Sequence, residues 1–242
     1  MIGIIGYGYV GKAVSNSFNC EQIICDPKYN DNTIQDLISR EPEAIFVCVP
    51  TPSNDEKFVI LRGVLEALKI YTGVTIVKST SLPEVLLPYN VVYNPEFLTH
   101  TSACNDFSNP HMLVLSGERA DEALKLYNKY SDVDTDKIHI TSIQNACMVK
   151  YMMNCFFAVK VCYMNEMYDI CSQAGADYDQ VTSIVSSHPW MGSHHYDVPG
   201  HDGMRGFGGA CLPKDILMMA YKYNNEMLRN IIESNNNRRN KS

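Results

Sequence analysis

The chain has 242 residues, 45% of them hydrophobic, with a formal net charge of −7 and nine cysteines. That much apolar material can fill a proper core in one large or two small domains, and an acidic balance with no basic stripe before the tail speaks against a nucleic-acid partner. No run of about eighteen apolar residues suggests a membrane span, the N-terminus lacks a signal peptide's basic region, and scattered cysteines without a C-x-x-C point to reduced thiols and a cytoplasmic compartment.

Residues 2–5 form a short apolar run. Gly6-Tyr7-Gly8-Tyr9-Val10-Gly11 follows, and Lys12-Ala13-Val14 opens a helix. Strand, glycine turn and helix are the context a dinucleotide fingerprint requires. Gly6 permits the tight turn, Gly8 lets a pyrophosphate approach the helix N-terminus, and Gly11 lets helix pack on strand. A second apolar run, 22–25, ends in Asp26. A carboxylate there binds both ribose hydroxyls and repels a 2′-phosphate, so NAD is expected over NADP.

Further strands are predicted at 44–49, 74–77, 90–93, 112–115 and 137–140, with helices such as 61–71 and 120–131 between them. That alternation argues an α/β chain with a parallel, doubly wound sheet. Val49-Pro50-Thr51-Pro52 and Lys78-Ser79-Thr80 follow the third and fourth strands, beyond whose carboxyl ends such sheets bind ligands. Taken alone, each also fits an ordinary turn with a capping hydroxyl.

From 143 to about 174 there is neither proline nor glycine, which predicts one helix of roughly 45 Å. Lys150 and Asn154 are four apart, hence on one face, and their neighbours Met148, Val149, Met152, Met153, Phe156 and Phe157 suggest burial. A buried lysine needs a partner. A helix at 179–187, a glycine- and histidine-rich loop at 188–209 and a last helix from about 214 to 235 follow, and the polar end, 235–242, is expected to fray. The division expected is a dinucleotide-binding domain, 1–142, and a helical domain, 143–242. His188, His194, His195 and His201 have the spacing of no standard metal site, and no metal is expected.

The most informative segment is Gly206-Phe207-Gly208-Gly209-Ala210-Cys211-Leu212-Pro213-Lys214-Asp215. Its glycines allow a close backbone approach to a ligand. Pro213 suits a first helical turn and would put Cys211 near a positive helix N-terminus, with Lys214 as a second positive charge. Both favour the thiolate, which is the nucleophile.

Asn94-Pro95-Glu96-Phe97-Leu98 and Lys150-Tyr151-Met152-Met153-Asn154, with Asn165-Glu166 further along that helix, lie between the glycine fingerprint and the Cys211 segment. In this order the motifs resemble nucleotide-sugar dehydrogenases of the UDP-glucose 6-dehydrogenase family, from residue 1 to about 239. The resemblance implies a Rossmann-type domain, then a mostly helical domain with one long central helix that forms a homodimer. The implied activity is NAD-dependent oxidation of UDP-glucose to UDP-glucuronate, through a cysteine thiohemiacetal and thioester. Carried over to this chain, the cofactor residues are Gly6, Gly8, Tyr9, Val10, Gly11, Asp26, Pro50, Thr51, Lys78, Ser79, Thr80, Glu96 and Lys214. Substrate contacts are implied for Phe97, Leu98, Lys150, Asn154, Arg205, Phe207, Gly208, Gly209 and Cys211, with Arg205 a candidate for phosphate. Catalysis is implied for Cys211 as nucleophile, Lys150 and Asn154 at the oxyanion, Asp215 assisting water, and Glu96 and Thr80.

Two departures stand out. His100 occupies the position of a second family glutamate, and the sequence stops where a second Rossmann-like domain follows in the family. A minimal form, a fragment and half of a split enzyme all fit that end. Rival readings are a dehydrogenase of GDP-mannose or an N-acetylated UDP-sugar, a two-electron β-hydroxyacid dehydrogenase, and a weakened NAD- or sugar-nucleotide-binding protein.

Overall fold

The computed structural model describes residues 1–52, 58–98, 103–192 and 194–240; His100 lies outside them. The chain divides into two compact units, Met1–Lys150 and Tyr151–Ser242.

The first unit carries a seven-stranded sheet. Its strands are β1 (Ile2–Ile5), β2 (Gln22–Cys25), β3 (Ala44–Val47), β4 (Val74–Val77), β5 (Val92–Tyr93), β6 (Leu113–Ser116) and β7 (Ile138–Thr141), in the order β2-β1-β3-β4-β5-β6-β7. β1, β3 and β4 are buried on both faces, as expected of continuous apolar runs in a parallel sheet covered by helices. Those helices are α1 (Tyr9–Ser17), α2 (Ile34–Ser39), α3 (Val59–Ala67, extended by a 3-10 turn at Leu68–Ile70), α4 (Pro83–Leu86), α5 (Ala103–Ser108) and α6 (Ala120–Tyr130).

One step of the sheet departs from the parallel expectation: β5 and β6 pair antiparallel through Tyr93 and Ser116. Parallel neighbours need a crossover that returns the chain to its starting edge. The segment carrying α5 does not return there, so β6 starts at the end where β5 stops.

An aromatic cluster anchors one layer of the core. Phe18 packs edge-on against Phe46 at 4.9 Å and against Tyr127 at 5.1 Å, and Phe107 stacks on Tyr127 at 6.3 Å. Each is at most 2% exposed, and burying such a side chain stabilises by roughly 1.5–3 kcal/mol.

The second unit is helical. α7 (Ile143–Ala174) starts in the first unit and supplies most of its length to the second, followed by α8 (Tyr178–Ser186), α9 (Leu212–Lys222) and α10 (Glu226–Arg239). The single last helix expected from the sequence is two helices. Asn224 adopts the left-handed conformation, φ 48°, and Asn225 accepts from the Leu228 amide as N-cap of α10. Asparagine tolerates the first role and favours the second, so a break needs neither glycine nor proline. The expected fraying from 235 is also corrected: α10 continues to Arg239, and Asn235 is buried. No helix among the described residues is long and apolar enough to cross a membrane.

Candidate functional site

In the first unit the predicted residues gather at the carboxyl ends of the central strands. The chain goes from β1 outward to β2, then crosses to β3, so strand order reverses between β1 and β3. That reversal is where doubly wound sheets bind ligands. Gly6 sits at this point with φ +87°, and a Cβ on it would meet the Cys48 carbonyl oxygen at 2.8 Å. A Cβ on Gly11 would lie 2.1 Å from the Gly6 carbonyl oxygen. Both positions therefore require glycine. Gly8 is different: a Cβ there meets nothing within 4 Å. Gly8 is the N-cap of α1 and gives it no side-chain cap, so no capping side chain occupies the approach to the first turn. This is the geometry of an anion cradle at a helix N-terminus.

Asp26 stands at the end of β2, where one carboxylate oxygen accepts from the Tyr7 amide at 2.6 Å and the other from the Lys28 amide at 2.9 Å. A carboxylate has about four acceptor positions, so ribose hydroxyls can still be received while the glycine loop is tied to β2. Beyond β3 and β4, Thr51, Ser79 and Thr80 are buried, Pro50 is exposed, and the Ser79 hydroxyl donates to the Val49 carbonyl at 2.6 Å.

Lys78 departs from the expected cofactor contact. It is 1% exposed, and its ammonium donates to Asn94 Oδ1 at 2.8 Å and lies over the Phe107 ring. The β4 end carries it inward, beneath the turn that bears Glu96.

Glu96 is 6% exposed. The Lys150 ammonium donates to its carbonyl oxygen at 2.6 Å and to Oε1 at 3.1 Å, while Oε2 accepts from the Leu98 amide at 2.8 Å. Burial opposes its charge, but the Lys150 cation, the Leu98 amide and Lys78 outweigh that and hold the carboxyl below its ordinary range. The buried lysine on α7 thus has the partner its burial demanded, and the Phe97 ring lies 5.4 Å from its ammonium.

In the second unit Cys211 is the N-cap residue of α9, and Pro213 lies in the first turn. Asp215 is fully buried, with one oxygen accepting from Asn154 Nδ2 at 2.6 Å and the other from the Lys214 ammonium at 2.6 Å. Lys214, expected beside a cofactor, has this carboxylate as its partner. Cys211 is half-buried at the N-terminus of α9.

The glycine-rich turn before Cys211 is held by two asparagines. Asn235 Oδ1 accepts from the Phe207 amide at 2.7 Å, and its Nδ2 donates to the Phe207 carbonyl at 3.1 Å. Asn165 Oδ1 accepts from the Gly206 amide at 3.1 Å and from Arg205 Nε at 3.3 Å. Gly208 is half-buried and Gly209 exposed. Arg205 also has carboxylate and amide partners within its unit. Its guanidinium pairs with Asp169 at 2.8 Å, and Arg238 bonds the same carboxylate at 2.8 Å. Asp169 lies one helical turn beyond Asn165, so the arginine meets a carboxylate of its own unit.

The sequence reading assigned no role to Asn235 or to Arg238. The signal was present: the apolar stripe of Leu228, Ile231 and Ile232 continues at helical spacing into Asn235, Arg238 and Arg239. Among the described residues no group of three or more metal-ligating side chains is gathered.

Residues 144–238 match the model of the UDP-glucose/GDP-mannose dehydrogenase family, central domain. The chain is 29% identical over 220 residues to a UDP-glucose 6-dehydrogenase of Rickettsia typhi, covering 81% of this chain and 50% of that one. It is 29% identical over 230 residues to a GDP-mannose 6-dehydrogenase of Pseudomonas aeruginosa, covering 81% of this chain and 51% of that protein. The chain thus spans about half the length of the curated relatives it matches. In fold it is similar to a UDP-glucose dehydrogenase from Pyrobaculum islandicum, with a TM-score of 0.80 at 21% identity, covering 97% of this chain and 67% of that one.

Proposed function

We propose, for a chain whose residues 144–238 match the central-domain model of the UDP-glucose/GDP-mannose dehydrogenase family, that it oxidises the primary alcohol of a nucleotide sugar to a carboxylate. UDP-glucose is the substrate this reading favours. The observation that carries it is Cys211 capping α9 one turn before the fully buried Asp215.

NAD is the proposed cofactor, and when bound it supplies the acceptor for each hydride. The chain's residues fit it: Gly8 leaves open space at the α1 N-terminus, and Asp26 stands at the end of β2. Gly6, Tyr9, Val10 and Gly11 complete that cradle, with Pro50, Thr51, Ser79 and Thr80 beyond the neighbouring strands.

Loss of the first hydride and a proton turns the alcohol into an aldehyde. The Cys211 thiolate adds to its carbonyl carbon, and the C–S bond retains the aldehyde as a thiohemiacetal. Loss of the second hydride leaves a thioester. Water then attacks the acyl carbon, the C–S bond breaks, and acid and thiolate separate. In this reading Lys150 and Asn154 donate to the developing oxyanion, and Asp215 orients the water, with Glu96 and Thr80 assisting. Phe97, Leu98 and the 207–209 backbone contact the sugar nucleotide. Lys214 sets the position of Asp215. Arg205 braces the glycine-rich turn.

A second reading, oxidation of GDP-mannose, is favoured by the equal identity to the Pseudomonas aeruginosa protein. The test is the number of NADH formed per sugar, measured over several nucleotide sugars. Two per UDP-glucose supports the proposal. Two per GDP-mannose supports the second reading, and none from any sugar overturns both.

We also propose a homodimer through α7. Met152, Phe156, Tyr163 and Ile170 are each more than half exposed along one stripe of that helix, and such an apolar face calls for cover.

A further inference from the structure

Lys78 is a buried cation that the proposed chemistry does not use. Its ammonium donates to Asn94 Oδ1, which also accepts from the Tyr127 hydroxyl at 2.6 Å. Asn94 is itself fully buried and is pinned on both sides: its backbone amide donates to the Val77 carbonyl at 2.8 Å and its Nδ2 to the Val114 carbonyl at 2.8 Å. Asn94 thereby ties β4 to β6 across β5 and fixes the start of the Asn94-Pro95-Glu96 turn. The hydrogen bond of the Lys78 ammonium thus leads to that turn, and the side chain is 1% exposed.

We infer that Lys78 is a positioning residue, which sets the Glu96 turn through Asn94 and supports the Glu96 carboxylate with its buried charge. The inference rests on the proposed role of Glu96. Three charged groups share this interior: Lys78 beyond β4, Glu96 beyond β5 and Lys150 on α7. The titratable neighbours are the Tyr9 hydroxyl on α1, which donates to Glu96 Oε1 at 3.4 Å, the Cys48 thiol beyond β3 and the Tyr127 hydroxyl on α6, while α5 offers the Phe107 ring, 4.7 Å from the ammonium. With two cations and one carboxylate, Lys78 adds a second positive charge to the one that Lys150 already places at Glu96.

Burial pushes the Lys78 amine down to about 8, against the attraction of Cys48 and Glu96 and with the repulsion of Lys150. Below that value Lys78 is an ammonium, so throughout the acidic range in which Glu96 takes up its proton the lysine carries its charge. Neutral lysine can still donate to Asn94, which separates the two contributions. The hydrogen bond survives deprotonation and the field does not.

The experiment is a carbon-13 NMR titration of the full chain. It follows the Glu96 carboxyl carbon, assigned by its loss in Glu96→Gln, and the Lys78 Cε carbon, assigned by through-bond correlation to its own backbone. Glutamine at 78 keeps a donor for Asn94 and removes the charge. The Glu96 midpoint is expected to move upward by several tenths of a pH unit in Lys78→Gln. Linkage is reciprocal, so the Lys78 midpoint must move downward in Glu96→Gln; this second arm decides the matter even if Lys78→Gln fails to fold. Calorimetry of NAD binding to Lys78→Gln should show unchanged affinity. Unmoved midpoints in both variants would overturn the inference, as would a loss of about tenfold or more in NAD affinity with the Glu96 midpoint unchanged. A wild-type chain that oxidises no nucleotide sugar would instead overturn the proposed function, and the two midpoints would still decide what Lys78 does.

Discussion

Replacing Asn235 with alanine removes both hydrogen bonds that hold the Phe207 peptide, the 2.7 Å bond from its amide and the 3.1 Å bond to its carbonyl. Asn235 is 4% exposed and Phe207 is 3% exposed, so water cannot readily take the lost places. A typical hydrogen bond contributes about 1 kcal/mol net, and a buried group left without a partner costs about 1–3 kcal/mol. Together these give a loss of roughly 2–4 kcal/mol, or about 5–15 °C in melting temperature for a chain of this size. Urea denaturation followed by circular dichroism measures the loss, and hydrogen exchange at the Phe207 amide locates it. Exposed Asn236, one residue on, provides the control, since its change to alanine should stay within about 0.5 kcal/mol of wild type. If Asn235→Ala matched that control and left the Phe207 amide protected, the clamp would not exist and the tail would be as free as its polarity suggested.

Cys211→Ser should yield no acid and stall at or before the aldehyde, because an alkoxide forms far less readily than a thiolate; full acid production, followed by chromatography of the sugar product, would exclude the thioester. Asp26→Ser should lose NAD preference and gain NADP use, and comparable wild-type efficiencies with the two would contradict the assigned role of Asp26. Light scattering should give a dimer, and Met152→Lys with Phe156→Lys should give a monomer; a wild-type monomer at micromolar concentration would refute the α7 interface. Bonds from Lys129 and Tyr130 hold the Glu43 carboxyl down at about 2, well below its ordinary value. A depressed carboxyl contributes stability that is present above its unfolded value and is lost as pH falls through the folded one. Glu43→Gln should therefore flatten the acid limb of a stability-versus-pH curve below about pH 4.5, and an unchanged limb would assign acid sensitivity elsewhere.

Hydrophobic patterning carried most of the architecture. β1 and β4 have the bounds their apolar runs predicted, because a strand buried on both faces must be apolar throughout. The long helix was legible for a complementary reason, the lack of any residue able to end it. The β5–β6 reversal was not legible, since an apolar run has no direction. The α9–α10 break was missed because Asn224-Asn225 differs from an ordinary polar helix surface only in backbone conformation, φ 48° at Asn224.

The candidate site divides along another line. Residue type and order identified the polar groups that matter, yet did not distinguish those that touch a ligand from those that hold the groups that do. Lys78, Arg205 and Lys214 were each expected at a ligand, and each has its charge satisfied within its own unit: by Asn94 and the Glu96 turn, by Asp169 and Asn165, and by Asp215. The reason is energetic. A cation placed close to a buried site needs compensation before any ligand arrives, or it would destabilise the fold. The chain meets that requirement with a carboxylate or an amide oxygen one or a few residues away in space, and such partners carry no fixed spacing in sequence. Glycines behave in the opposite way. Their roles at 6 and 11 follow from backbone geometry alone, so the spacing that announced them also determined what they do. A motif residue is thus readable to the extent that its role is steric, and where its role is electrostatic its partner has to be seen.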